Sequence, residues 1–184
     1  MTEQELRSRI LFAALETFGR EGFFEAKMLT IARLAKISKS TLYAMFPSKE
    51  ELYTDMMKFT FSMYLTTVER HIQNQRTFPE TLQAISQEHL QNIWKQRHRS
   101  GMYLQLNHKH EEAMNALMDF IEAYIELIGQ FFEQHGIENA ATKARLYVGM
   151  LDSFRNEIFM DPSFNEERLK EIRQQIDQIV ITGF

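Results

Sequence analysis

Cysteine is absent from the 184-residue chain. That absence removes a disulfide scaffold, thiolate catalysis, iron–sulfur clusters and cysteine-ligated zinc. Glycine and proline are scarce, seven and three, and because both are turn formers that sheet-rich chains use often, their economy points to helices. No apolar run approaches the roughly 18 residues that a membrane span needs. The N-terminal MTEQELRSR is polar with acidic residues, unlike a signal segment. A cytoplasmic protein without membrane attachment is expected. No G-x-S-x-G, phosphate-loop or G-x-G-x-x-G pattern occurs, so neither an enzyme class nor a cofactor is indicated.

Hydrophobic residues at 44% and charged residues at 25% leave enough apolar material for a core without staples. The length fits one domain, or a small domain joined to a larger one. The few glycines and prolines divide the chain into segments with helical periodicity, giving an all-α chain of about nine helices. Leu6, Ile10, Ala14 and Phe18 recur at four-residue steps, predicting a first helix over residues 4–20 that ends before Gly22. Met28, Ile31, Ala32 and Ala35 predict a second, short helix. Ser38 caps a third, carrying Leu42 and Phe46, and Pro47 stops it. Ser48 and Glu51 form a capping-box pattern at the start of a segment without glycine or proline as far as Phe78, read as one long or kinked helix.

The net charge of −4 argues at first against a nucleic-acid partner. Its distribution reverses that inference. Residues 1–60 carry nine basic and eight acidic side chains, whereas residues 61–184 carry twelve and seventeen. Within residues 26–49, Lys27, Arg33, Lys36, Lys39 and Lys49 occur with no carboxylate at all. Phosphate binding needs such a local positive surface, since neutralising the backbone releases counterions. Two short helices around a tight turn, the second opening with Ser38, Lys39, Ser40 and Thr41, describe a helix-turn-helix whose small side chains allow close approach to a duplex. Ser38 and Ser48 serve equally well as helix caps alone.

The run RSRILFAALETFGREGFFEAKMLTIARLAKISKSTLYAMFPSKEELY resembles the DNA-binding domain of the tetracycline-repressor (TetR) family of transcriptional regulators. The resemblance rests on Ile10, Ala14, Phe18, Gly22-Phe23, Ile31-Ala32, Ala35, Ile37 to Tyr43, Phe46 and Ser48 to Leu52. It implies an N-terminal three-helix helix-turn-helix domain, residues 1–60, and a C-terminal helical effector-binding and dimerisation domain, residues 61–184. It implies that Ser38, Lys39, Ser40 and Thr41 lie at bases or phosphates, that Tyr43 reaches the DNA backbone and that Lys49 grips a phosphate. Two positions depart from the family pattern. Lys27 stands near where a capping hydroxyl usually opens the second helix, offering an ammonium as a phosphate partner. Lys36 replaces the usual turn glycine, at a cost of about 1 kcal/mol if left-handed.

Beyond residue 60, a wide apolar stripe runs from Met114 through Leu117, Met118, Ile121, Tyr124, Ile125, Ile128 and Phe132. The stretch VGMLDSFRNEIFMDP resembles the family's penultimate helix. Tyr147, Leu151, Phe154 and Ile158, with Leu169, Ile172, Ile176 and Ile179, are the expected interface of a homodimer. Such a dimer sets two recognition helices about 34 Å apart, as a palindromic operator requires. A small-molecule effector is expected among the middle helices, with Met63, Trp94, Met102, Tyr103, Met114 and Met118 as candidate walls, although such residues are ordinarily core. His108-Lys109-His110 before Glu111-Glu112 offers imidazole and carboxylate at metal-ligand spacing. Surface histidines at a helix start are the plainer reading, and no metal is expected. The function implied is a ligand-responsive repressor of transcription. A helical carrier or enzyme using the same cavity stays open, as does an interaction module whose helix-turn-helix no longer binds DNA.

Overall fold

The computed structural model describes residues 2–74, 77–99 and 111–183, and among these it contains helices and no strand. The helices are α1 (Glu3–Glu25), α2 (Met28–Leu34), α3 (Lys39–Met45), α4 (Lys49–Gln73), α5 (Phe78–Gln96), α6 (Glu111–Gln134), α7 (Ala140–Ser153), α8 (Arg155–Met160) and α9 (Glu166–Gly183). A 3-10 turn, Arg97–Arg99, follows α5. The chain divides into two compact units. One is Met1–Met63 with His98–Phe120; the other is Tyr64–Arg97 with Ile121–Phe184. Met102, Tyr103 and the His108-Lys109-His110 run lie outside the described residues.

In the first unit, the four-residue spacing of Ile10, Ala14 and Phe18 turns one face of α1 fully inward. Thr2 and Glu5 close the N-terminus with a reciprocal capping box. The regular helix breaks at Gly22, whose φ of 75° and ψ of 170° are open essentially to glycine alone. A further turn carries α1 to Glu25, beyond the end expected near residue 20. Tyr53 of α4 then meets Phe18 and Phe23 edge-on at 5.1 and 5.0 Å between ring centroids, a favoured aromatic geometry. Ile31, Leu42, Phe46, Leu52, Met56 and Met57 complete this core.

The exit from α2 shapes everything after it. Ile37 donates its amide to Ala32 (3.0 Å) and Lys36 donates to Arg33 (3.1 Å), the paired bonds of a Schellman motif, which satisfy carbonyls the helix end would otherwise orphan. Lys36 takes the left-handed position with φ of 52°. The end of α6 repeats the motif, Ile137 to Phe132 (3.1 Å) and Gly136 to Glu133 (3.0 Å), with Gly136 at φ of 72°. The same backbone device is thus built once with glycine and once with lysine.

In the second unit, α5 packs on α7, α8 and α9. The segment expected to continue from Ser48 to Phe78 is interrupted because Thr77 and Glu80 form a capping box, with Pro79 in the first turn, that starts α5 afresh. The apolar stretch over 140–160 divides at Phe154, which caps α7 and precedes α8. Tyr147 is fully buried on α7, and its hydroxyl donates to the Leu82 carbonyl at 3.0 Å.

A polar cluster sits inside this unit. His89 of α5 stacks on Tyr124 of α6 at 5.7 Å, and its Nδ1 lies 3.2 Å from the Tyr64 hydroxyl of α4, which donates to Tyr124 at 3.3 Å. Its Nε2 lies 3.8 Å from Asp152 of α7, and Arg155 of α8 donates to that carboxylate through Nε at 2.9 Å. Burial lowers the His89 pKa below its ordinary 6.5, outweighing the pull of Asp152, so the ring is neutral at pH 7.

Two outcomes follow for stability. Lys36→Gly is expected to stabilise the chain by up to about 1 kcal/mol in urea unfolding, because it removes left-handed strain. A His89 pKa lowered on folding contributes stability that is full above the unfolded value and is lost as pH falls through the folded one. Unfolding free energy should therefore decline as pH falls below the ordinary imidazole value of 6.5, and His89→Gln should flatten that decline.

Candidate nucleic-acid interface

The acid-free segment folds into α2, the left-handed turn and α3. Ser38 caps α3: its hydroxyl accepts the Thr41 amide at 3.0 Å and shares hydrogen bonds with the Ser40 and Thr41 hydroxyls at 2.8 and 2.7 Å. This leaves the cap and the first turn rigidly connected. Leu42 and Phe46 are fully buried and anchor the inner side of α3. Lys39, Ser40 and Tyr43 are exposed on its outer side, Thr41 is half-buried, and the Lys39 ammonium lies 5.5 Å from the Tyr43 ring centroid one turn on. These residues, adjacent in sequence, form one continuous surface of hydroxyl, ammonium and phenol.

Lys27 is exposed at the N-cap of α2 and makes no side-chain capping bond, so the hydroxyl cap missing from the sequence is missing from the helix as well. Lys49 opens α4 but reaches backwards. Its Nζ donates to the carbonyls of Phe24 and Ala26, each at 3.0 Å, and sits 4.8 Å over the Phe23 ring. Two of its three N–H bonds therefore tie α4 to the junction between α1 and α2. Arg7 of α1 makes a similar bridge, pairing with Asp55 and lying 4.8 Å over the Phe46 ring. Neither connection has a signal in local periodicity, because each joins residues far apart in sequence.

The remaining candidates separate. Met63, Met114 and Met118 belong to the first unit and Trp94 to the second. Met63 and Met118 are exposed and Met114 is half-buried. Trp94 lines an open groove beside α9. Six of the eight residues read as a dimer interface are buried within their own chain: Tyr147, Leu151, Ile158, Leu169, Ile172 and Ile176. Helical periodicity marks a covered face without saying which element covers it. Phe154 is half-buried and Ile179 is 54% exposed. Leu146 at 56% and Met160 at 70% are further outward apolar side chains in the same unit, and no stripe in the sequence singled them out.

Comparison with known proteins bears on this geometry. Residues 10–56 match the model of bacterial regulatory proteins of the tetR family. The HTH-type transcriptional regulator RutR of Escherichia coli K12 is 41% identical over 59 residues, which are 32% of this chain and 28% of RutR. The chain therefore spans less than a third of the length of that curated relative. Two solved structures share the fold across nearly the whole chain. A Mesorhizobium loti protein assigned to the TetR-family transcriptional regulators superposes with a TM-score of 0.83 at 19% identity, covering 99% of this chain and 96% of its own. FadR of Bacillus subtilis, solved in complex with stearoyl-CoA, superposes with a TM-score of 0.72 at 16% identity, covering 96% and 98%. Residues 10–56 thus match the tetR family of bacterial regulatory proteins, and the chain as a whole shares its helical fold with solved proteins assigned to that family.

Proposed function

We propose that the chain is a dimeric, ligand-responsive repressor that binds a palindromic operator in double-stranded DNA, acting in the cytoplasm and not as an enzyme. The observation that carries this reading is the outer face of α3, where Lys39, Ser40 and Tyr43 stand exposed on a helix anchored by Leu42 and Phe46. Lys39 and Tyr43 contact phosphates, Ser40 and Thr41 approach base edges, and Lys27 adds a phosphate contact from the start of α2. Ser38 holds the helix start that presents them. Lys49 offers DNA only the N–H left over from its two carbonyls, so its larger part is to position the domain. Residues 1–60 form the reading head, and residues 61–184 hold the effector and the second copy.

The outward apolar side chains Leu146, Met160 and Ile179 support pairing of two copies through α7 to α9. An effector acts by binding one separation of the two reading heads more tightly than the other, since only differential affinity shifts such an equilibrium. Among proteins of this fold, FadR is solved with stearoyl-CoA, which supports an effector with an apolar part.

Selection of bound genomic fragments by the purified protein identifies the operator. On that fragment, Lys39→Ala with Tyr43→Ala should weaken binding at least about tenfold while leaving the circular dichroism unchanged, and the salt dependence should lose about one counterion per phosphate contact removed. Folded double variants that bind as tightly as the parent would sink the assignment. Leu146→Glu with Ile179→Glu should yield monomers by sedimentation and lose affinity for the two-half-site operator far more than for an isolated half-site.

A further inference from the structure

Beyond residue 60 the chain holds twelve basic and seventeen acidic side chains, yet one groove in the second unit has the opposite character. It lies between the end of α5 and the start of α9, with a volume of about 550 Å³, and Lys95, Arg97, Lys170 and Arg173 face it against the single carboxylate of Glu166. The volume falls within the range of small-molecule sites. Leu90, Leu169 and Trp94 supply an apolar floor.

Both arginines are already held in place. The Arg97 guanidinium lies 3.6 Å over the Trp94 ring and donates to the Trp94 carbonyl at 2.6 Å. Arg173 donates at 3.2 Å to Asp177, whose side chain is only 6% exposed. A guanidinium has five N–H donors, so each arginine keeps donors for a further acceptor. Because their positions are set by protein contacts, little side-chain freedom is lost when an anion arrives. The exposed ammonium groups of Lys95 and Lys170 extend the positive field along the groove. Glu167 and Glu171, exposed on the same helix, repel an extended polyanion and favour a small one.

We propose that this groove binds an amphipathic organic anion, with a carboxylate or phosphate head among the four cations and an apolar body against Trp94, Leu90 and Leu169. The proposal names an effector class and rests on the regulatory reading only for the consequence of binding, not for binding itself. Trp94 is the sole tryptophan of the chain, so its emission reports occupancy of the groove directly.

The test titrates octanoate and octyl phosphate into the full-length protein and follows Trp94 emission, with octylamine and inorganic phosphate alongside. A saturable change with octanoate assigns a carboxylate head, and one with octyl phosphate a phosphate head; either supports the site. No saturation with either anion, an equal response to octylamine, or inorganic phosphate binding as tightly as octyl phosphate overturns it. Lys95→Glu with Lys170→Glu, both on the surface, should weaken the anion at least about tenfold with the helical content unchanged. Parental affinity in that folded variant overturns the site as well. Operator binding is measured on the same samples without added anion. A failed titration beside intact operator binding rejects the groove alone, and a successful titration beside absent operator binding rejects the DNA-binding reading alone.

Discussion

The left-handed turn at Ala35, Lys36 and Ile37 is the constraint on which the exposed face of α3 depends. It ends α2 with the two Schellman bonds and sets the direction in which the chain enters α3. A helix of seven residues cannot hold itself in place by its own hydrogen bonds. Its position therefore rests on the turn before it, on Leu42 and Phe46 beneath it, and on Arg7 over the Phe46 ring. Lys49 acts from the other side by joining the start of α4 to the carbonyls of Phe24 and Ala26. A lysine left-handed at residue 36 is locally unfavourable, and it persists because bonds on both sides over-determine the turn.

Charge is distributed with the same economy. Residues 26–49 hold five cations and no carboxylate, in a chain that is acidic as a whole. Acidic surface elsewhere discourages non-specific association with a polyanion, so the positive segment has little competition from its own molecule. The groove beside Trp94 is a second local reversal of sign, distinguished from the first by its apolar floor and by arginines already engaged with protein partners.

Much of the architecture is legible without coordinates. Pro47, Pro79 and Gly136 mark helix limits, and Gly22 a break within α1, because each acts through its own backbone. The Ser38 cap and the inward placing of Ile10, Ala14, Phe18, Leu42 and Phe46 follow from spacing over one or two turns. The start of α5 is legible too, since Pro79 marks it and the capping box of Thr77 and Glu80 stands in the sequence. The candidates on α7 to α9 illustrate a limit. Their period is helical and their face is buried, as expected, but α5 of the same chain covers much of it.

The sequence by itself determined helical class, the helix-turn-helix with its positive segment and the family of residues 10–56, because these depend on backbone preferences and spacings within a few turns. Tertiary structure alone decided that Lys49 clamps carbonyls 25 and 23 residues earlier, and that His89 meets a tyrosine 25 residues before it. It also decided that Tyr64 and Tyr124, 60 residues apart, share a hydrogen bond. The same holds for the gathering of Arg97 and Arg173 around one groove. Such contacts arise when separate helices pack, and no local periodicity encodes which side chains will then face one another.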